Sequence, residues 1–304
     1  MAKESKPSLS ENNLVFSKCQ RWSFMEKKIG FIGLGSMGGM LVRGFISTGA
    51  TKEENVFIST KSKEKLTTYK QTFPKVRLCQ TNSELAKQCD CIFICVKPLE
   101  VKGILDEIKG ELSADTHIIS IAACVTLSNL ENIFDGQITK VIPSLTSEVR
   151  EGSSLVCHNA KVSNDSKVLV EDLLGKISKV KIIPESDFEL GADLTSCAPG
   201  LISAIFSEFV KSAMRHKSDF SKKEIEEMVV GTLLGTAKIL SGNNITFEEL
   251  VSRVATKGGI TQEGVSVLER YLPEVFDRVF NATLNKHRVV KEKITTVMND
   301  NKFA

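Results

Sequence analysis

From residue 28 to about residue 185, the chain alternates between short apolar runs and longer amphipathic stretches. The apolar runs, many of them rich in β-branched residues, predict strands, and they lie at residues 29–32, 56–59, 91–96, 118–122, 140–142, 154–157 and 180–183. The amphipathic stretches have apolar residues at helical spacing, and they lie at residues 62–69, 83–88, 99–108, 127–133 and 165–177. Strands that alternate with helices predict an α/β fold with a mostly parallel, doubly wound sheet.

The pattern changes after residue 186, where apolar residues recur at helical spacing and no strand is predicted. The apolar faces of these helices are wide, which favours burial against a second copy of the chain over a self-contained bundle. We therefore expect a first domain over residues 25–186 and an all-helical dimerisation domain over residues 187–304. Residues 1–24 mix charged and polar residues without an apolar core, and they are interpreted as a disordered extension.

A glycine-rich turn joins the first predicted strand to the first predicted helix. Gly33, Gly35 and Gly38 form the pattern G-x-G-x-x-G. In a dinucleotide site the first glycine permits the tight turn, the second lets the backbone approach a pyrophosphate, and the third lets the helix pack on the strand. The amino end of the helix presents N–H groups to the anion. The flanking strand and helix favour a dinucleotide site over an ordinary glycine-rich turn.

The end of the second predicted strand bears on which nicotinamide dinucleotide is bound. A site that prefers NAD places Asp or Glu there to bind the ribose 2′-hydroxyl, whereas this chain has Ser59, Thr60 and Lys61, with no acid until Glu64. Hydroxyls and a lysine suit a 2′-phosphate. The sequence therefore favours NADPH as the cofactor, with NADH as the alternative.

Composition narrows the classes of function. The net charge is +3 and no basic block is interleaved with aromatic residues, so nucleic-acid binding is not expected. No apolar run approaches the roughly 18 residues of a membrane span, so no membrane association is expected. The eight cysteines lack zinc-type spacing, and we interpret them as structural thiols of a cytoplasmic protein.

Four blocks of sequence, in order, resemble the pyrroline-5-carboxylate reductase family over about residues 25–287. The blocks lie at residues 30–38, 96–98, 119–126 and 258–261. The resemblance implies a Rossmann domain followed by a helical domain that interlocks with a second subunit, as a homodimer or higher homo-oligomer. It also implies a small-molecule imine or amino-acid substrate, since the family reduces the cyclic imine 1-pyrroline-5-carboxylate to proline with NAD(P)H. Within the family, the pattern is most similar to the divergent late-competence branch.

Candidate site residues follow from this resemblance by position. Those implied for the cofactor are Ile32, Gly33, Leu34, Gly35, Ser36, Met37 and Gly38 at the pyrophosphate, Asn82 at a ribose, and Cys95, Val96, Lys97, Pro98, Ile121, Ala122 and Ala123 along the dinucleotide. Those implied for the substrate carboxylate are Gly258, Gly259, Ile260 and Thr261. Thr261 is implied as the catalytic residue, with its hydroxyl near the imine nitrogen. From the residues alone, a Gly-Gly pair at a helix start can receive a carboxylate and Thr261 can cap that helix.

Three motifs depart from the typical family pattern. Pro-Asn-Thr-Pro is replaced by Pro-Ser-Leu-Thr at residues 143–146, Gly-Ser-Gly-Pro-Ala-Tyr by Ser-Cys-Ala-Pro-Gly-Leu at 196–201, and Ser-Pro-Gly-Gly-Thr-Thr by Thr-Lys-Gly-Gly-Ile-Thr at 256–261. These changes keep open a second hypothesis, a nucleotide-binding regulatory protein that lacks the reaction. A β-hydroxyacid dehydrogenase is disfavoured. Its chemistry needs a base for the hydroxyl proton, normally a lysine, and the corresponding helix at residues 191–210 contains no lysine. Pro199 is expected to kink its helix.

Overall fold

Residues 26–242 and 244–299 are described in the structure, a computed structural model. The chain divides after Glu185 into two compact units. The disordered extension expected at residues 1–24 lies outside the described residues.

An eight-stranded sheet forms the centre of the amino-terminal unit. Its strands are β1 (Ile29–Ile32), β2 (Val56–Ser59), β3 (Arg77–Leu78), β4 (Cys91–Ile94), β5 (His117–Ser120), β6 (Gln137–Ile142), β7 (Gly152–His158) and β8 (Ser178–Ile182). They lie in the order β3-β2-β1-β4-β5-β6-β7-β8, and each neighbouring pair is parallel except β6 and β7. The chain order changes direction between β1 and β4, and ligands of such sheets bind in the crevice at the carboxyl ends of the strands there.

Helices connect most of these strands, as the alternating pattern predicted. They are α1 (Ser36–Ser47), α2 (Lys63–Thr72), α3 (Asn82–Ala86), α4 (Val101–Ile108), α5 (Leu127–Glu131) and α6 (Asn164–Gly175). The doubly wound α/β fold is confirmed. Strand β3 was not predicted, because two residues are too short to show a period.

The core of the sheet lies around four adjacent strands. Every residue of β1, β2, β4 and β5 is buried, in agreement with near-continuous apolar strands that are covered on both faces. Phe31 of β1 stacks on Phe93 of β4 with ring centroids 5.1 Å apart. Phe45 of α1 meets Phe93 edge to face at 5.7 Å. These rings hold α1 against the two strands whose ends form the crevice.

The cysteines around β4 are thiols of the core. Cys91 and Cys95 are buried, and burial raises the pKa of each thiol. Cys89 is also buried, with its pKa raised mainly by the same cause. The three side chains therefore act as small hydrophobic groups, which agrees with their interpretation as structural thiols.

The described residues of the second unit form helices and no strand. Its elements are α7 (Phe188–Ala192), a π-helical turn (Asp193–Cys197), α8 (Ala198–Ala213), α9 (Lys222–Gly242), α10 (Phe247–Val254) and α11 (Ile260–Asn299). A π-helical turn lies just before Pro199, where the sequence predicted a kink. A proline lacks an N–H group and crowds the preceding turn, so a wider turn is a common solution.

One helical run of the described residues, Glu185–Ala213, is long and apolar enough to cross a membrane by length and composition alone. The expectation that no apolar run approaches this length is therefore wrong. It considered the separate apolar runs, whereas α7, the π-helical turn and α8 follow one another as one continuous helical run. Such a run is weak evidence for a membrane span, because helices of other proteins pass the same test.

Large apolar side chains are exposed along this helical unit. Phe209, Phe247 and Tyr271 are 62%, 74% and 59% exposed, respectively. Exposed apolar surface on this scale marks an interaction site. It agrees with the wide apolar faces in the sequence and with their expected burial against a second subunit.

A buried chain of hydrogen bonds links two histidines across the sheet. His117 Nε2 of β5 lies 2.7 Å from Thr139 Oγ1, which lies 2.7 Å from His158 Nδ1. Burial, together with a smaller effect of His158, lowers the pKa of His117 from 6.5 to about 3. His117 is therefore neutral in the folded protein at neutral pH.

This histidine predicts a loss of stability in mild acid. Below about pH 6.5 the unfolded chain binds a proton at His117 that the folded protein takes up only near pH 3. The free energy of unfolding should therefore fall by about 1.4 kcal/mol per pH unit from this group. Urea unfolding at pH 7.0, 6.0 and 5.0 measures the slope. His117→Gln should flatten it, and His216→Gln, at an exposed site, should leave it unchanged. An equally steep slope in His117→Gln would contradict the assignment.

Candidate functional site

A pocket of about 220 Å³ opens at the carboxyl ends of β1, β2 and β4. Its lining residues are Ile32, Gly33, Leu34, Gly35, Ser59, Thr60, Lys61, Asn82, Cys95, Val96, Lys97, Glu100 and Ile104. All except Glu100 and Ile104 are among the cofactor residues expected from the sequence. The pocket lies where the strand order changes direction, which is the usual ligand position in this kind of sheet.

The remaining expected cofactor residues lie around this pocket or beside it. Ser36 lines a neighbouring pocket together with Leu34, Gly35 and Arg43. Met37 and Gly38 belong to the first turn of α1, Pro98 begins a short 3-10 turn after β4, and residues 121–123 follow β5. None of these lines either pocket.

The three glycines of the turn have different surroundings. Gly33 has φ +101°, and a Cβ there would lie 2.6 Å from the Cys95 carbonyl oxygen. A Cβ on Gly38 would overlap the Gly33 carbonyl oxygen and lie 2.8 Å from Cys95 Cβ. A Cβ on Gly35 would meet no atom within 4 Å. The chain itself therefore requires Gly33 and Gly38, whereas Gly35 borders open space in which a ligand can approach the backbone.

The start of α1 borders this space, and no side chain of the helix neutralises the positive end of its dipole. Gly35 is its N-cap, no side chain accepts a capping hydrogen bond, and the first turn contains no acidic residue. The first N–H groups of an α-helix have no acceptor within the helix, and its dipole favours an anion there. The geometry fits a pyrophosphate at this point.

An acidic residue, Glu100, lines the pocket opposite Lys61. The Lys61 ammonium lies 3.1 Å from Glu100 Oε1, and Glu100 Oε2 accepts a hydrogen bond from the Lys97 backbone N–H at 3.2 Å. The hydrogen bond from Lys61 and that from Lys97 lower the pKa of Glu100. Sequence reasoning missed this residue because it follows β4, whereas the motif for an acid refers to β2. The pocket thus contains a carboxylate although β2 ends without one.

Asn82 is held in place at the pocket by side chains of other elements. Ser59 Oγ donates a hydrogen bond to Asn82 Oδ1 at 2.8 Å, and Asn82 Nδ2 donates to Glu107 Oε2 at 2.7 Å. The two bonds fix which face of the amide points to the pocket. A fixed amide is suited to hydrogen bonding with ribose hydroxyls.

The segment expected to bind a carboxylate lies in the helical unit, between α10 and α11. Gly258 has φ +74°, and its N–H donates to Gln262 Oε1 at 2.7 Å. The Gly259 N–H donates to the Thr256 carbonyl oxygen at 2.9 Å. Ile260 and Thr261 are the first two residues of α11, and N–H groups in these positions have no acceptor within a helix. Both glycine N–H groups already donate to acceptors within this segment. The N–H groups at the start of α11 are therefore better placed than those of the glycines to bind a carboxylate.

Two family models match this chain. Residues 28–124 match a model described as NADP oxidoreductase coenzyme F420-dependent, and residues 185–290 match one described as pyrroline-5-carboxylate reductase dimerisation. The first covers the glycine-rich turn and β4, and the second covers the helical unit with its exposed apolar faces.

Solved structures with a similar fold include two reductases. A pyrroline-5-carboxylate reductase from Coxiella burnetii has a TM-score of 0.79 at 27% identity, covering 86% of this chain and 98% of that one. The Plasmodium falciparum pyrroline carboxylate reductase, solved with NADP bound, has a TM-score of 0.75 at 24% identity, covering 90% and 99%. The latter likeness concerns the fold alone.

Curated relatives extend the match along the chain. ComE operon protein 4 of Bacillus subtilis is 32% identical over 270 residues, which are 89% of this chain and 97% of that protein. Pyrroline-5-carboxylate reductase 3 of the same species is 40% identical over 269 residues, which are 88% and 98%. By this near-complete match, the chain belongs to the pyrroline-5-carboxylate reductase family of oxidoreductases.

Proposed function

We propose that this protein reduces 1-pyrroline-5-carboxylate to L-proline with NADPH, the last step that makes this amino acid. The observation that carries the proposal is the Gly35 turn, open to a ligand, in a chain 40% identical to a protein named pyrroline-5-carboxylate reductase. The pocket at the strand ends supports a nicotinamide coenzyme.

The chain's own residues are assigned simple tasks. The first N–H groups of α1 hold the pyrophosphate, and Asn82 hydrogen-bonds a ribose. The start of α11 receives the substrate carboxylate, and the Thr261 hydroxyl hydrogen-bonds the imine nitrogen. When bound, the reduced nicotinamide supplies the hydride that the imine carbon accepts. A protonated imine is already an electrophile, so the protein needs no strong side-chain acid and acts chiefly by orienting the reactants.

The assembly that we propose is a homodimer, or a higher homo-oligomer, formed through the helical unit. Two observations support it: the exposed apolar side chains such as Phe209 and Phe247, and the match to a dimerisation model over residues 185–290. The apolar run Glu185–Ala213 lies entirely within this match, so we assign it to subunit packing in a cytoplasmic protein.

We propose NADPH rather than NADH as the coenzyme because Lys61 can bind a 2′-phosphate. Lys61 lines the pocket together with Ser59 and Thr60. The ion pair with Glu100 is largely exposed, with side-chain exposures of 85% and 41%, and such pairs contribute little. A 2′-phosphate can therefore replace Glu100 as the partner of Lys61 at small cost.

A regulatory protein that binds a dinucleotide without turnover is the second candidate. It is favoured by the changed motifs at residues 143–146 and 196–201 and by the likeness to ComE operon protein 4. The consumption of NADPH in the presence of 1-pyrroline-5-carboxylate, followed by absorbance, separates the two. Tight binding of NADPH without consumption would favour the regulatory protein.

Gly35→Ala is expected to weaken NADPH binding by about 10-fold or more without lowering Tm, because its methyl group enters only the space of the pyrophosphate. Calorimetric titration and a thermal melt measure the two effects. Gly38→Ala is the contrasting variant, and it should lower Tm because its methyl group overlaps the Gly33 carbonyl. Unchanged affinity in Gly35→Ala would remove this turn from the coenzyme site.

Lys61→Ala is expected to raise KM for NADPH by about 10-fold, the loss of one charge-assisted contact, and to change KM for NADH at most about twofold. Glu100→Gln should lower KM for NADPH, since it removes both the competing partner of Lys61 and a negative charge. Lys87→Ala, which breaks a similar ion pair with Glu111 at 3.4 Å, is the matched control. Equal effects of Lys61→Ala on both coenzymes would refute the assignment.

Thr261→Ala is expected to lower kcat/KM for 1-pyrroline-5-carboxylate by about 10- to 100-fold, because one hydrogen bond to a charged group is lost. Coenzyme affinity should stay the same, and Thr261→Ser should restore most of the activity. Thr296→Ala, on the same helix, serves as the control. Wild-type turnover in Thr261→Ala would exclude the hydroxyl from the reaction.

A further inference from the structure

Three different metal-binding side chains converge in the helical unit. Asp193 and Cys197 are the first and last residues of the π-helical turn, and His287 lies on α11. One ligand atom from each, a carboxylate oxygen, a sulfur and an imidazole nitrogen, lies within 4.8 Å of the other two. Neither the reaction nor the coenzyme proposed above makes use of them.

The spacing within the cluster suits a small divalent ion. His287 Nε2 and Asp193 Oδ1 lie 3.2 Å apart. Two ligand atoms that bind a tetrahedral zinc ion at about 2.0 Å are about 3.3 Å apart, and a Zn–S bond is about 2.3 Å long. The nitrogen and the oxygen thus have a separation that suits a zinc ion, and the sulfur lies within 4.8 Å of both. Cys197 is exposed.

The carboxylate is buried and already oriented. The Asp193 side chain is 0% exposed, and Thr283 Oγ1 donates a hydrogen bond to its Oδ2 at 2.5 Å. This leaves Oδ1 directed to His287. Hydrogen bonds that hold a ligating carboxylate in this way are typical of metal sites.

Charge balance also favours a divalent cation here. A carboxylate and a thiolate supply two negative charges, and a neutral imidazole supplies none. Together with a divalent ion they form a neutral group, which avoids the cost of burying net charge. Binding converts the Cys197 thiol to a metal-bound thiolate and releases its proton to solvent.

The sequence offers independent support. Cys197 stands where typical members of the family have the serine of Gly-Ser-Gly-Pro-Ala-Tyr, and serine is a poor zinc ligand. The turn that contains it is π-helical, and such turns occur frequently at functional sites. A buried Asp193–His287 pair that only joins the turn to α11 would have no need of the cysteine.

We propose that Asp193, Cys197 and His287 form a binding site for a divalent transition-metal ion of the zinc type, with water in the fourth position. The ion joins the π-helical turn to α11. This inference is independent of the proposed reductase activity.

Cobalt(II) titration of the full-length protein, stripped of metal by a chelator, tests the proposal. We expect one cobalt per chain, with the intense visible bands of four-coordinate cobalt and a near-ultraviolet charge-transfer band from the thiolate. Cys197→Ser should abolish the near-ultraviolet band. Cys157→Ser, at another partly exposed cysteine, should retain it. Thr283→Val should weaken binding by about 10- to 100-fold, as expected for a group that orients a ligand.

Circular dichroism checks that each variant is folded, and His287→Gln replaces Cys197→Ser if the latter is not. Zinc should also displace cobalt and raise Tm by mass action. Cobalt binding far below one per chain, absence of the charge-transfer band, or an unchanged band in folded Cys197→Ser would each overturn the site. In that case Asp193 and His287 form only a structural hydrogen bond.

Discussion

The coenzyme pocket depends on how closely the first helix approaches the end of the neighbouring strand. At Gly38 the backbone of α1 lies so near Cys95 and the Gly33 carbonyl that only a hydrogen atom fits. The stacked and edge-to-face rings of Phe31, Phe45 and Phe93 stabilise the helix in this position. Its first N–H groups are directed to the pocket as a result. The close contact at Gly38 thus aligns the elements that surround the proposed pyrophosphate site.

Local signals in the sequence predicted most of the amino-terminal unit. Buried strands and the G-x-G-x-x-G turn follow from short-range patterns, so the sheet, its class and eleven of the pocket residues could be anticipated. Glu100 could not, because its position opposite Lys61 results from two loops that meet in space. Strand β3 gave no signal either, since its two residues form a strand only by pairing with β2.

The helical unit shows a different limit of sequence reasoning. Wide apolar faces indicated an interface, and the match to a dimerisation model agrees with that interpretation. By contrast, the pairing of Asp193 with Thr283 and His287 joins residues about 90 positions apart, and no periodicity reports such a contact. Pro199 did predict a local disturbance, but not that the helix would widen into a π-helical turn.

The solvent exposure of the Lys61–Glu100 pair has a further consequence. Dissolved salt weakens the interactions of exposed charges, with a Debye length of about 10 Å at 0.1 M. Both the Lys61–Glu100 pair and the proposed attraction of Lys61 for a 2′-phosphate involve such charges. If Lys61 binds the 2′-phosphate as proposed, discrimination between the two nicotinamide coenzymes is a competition of two anions for one ammonium group. Its outcome varies with ionic strength, so coenzyme preference is a property of the protein together with its surroundings.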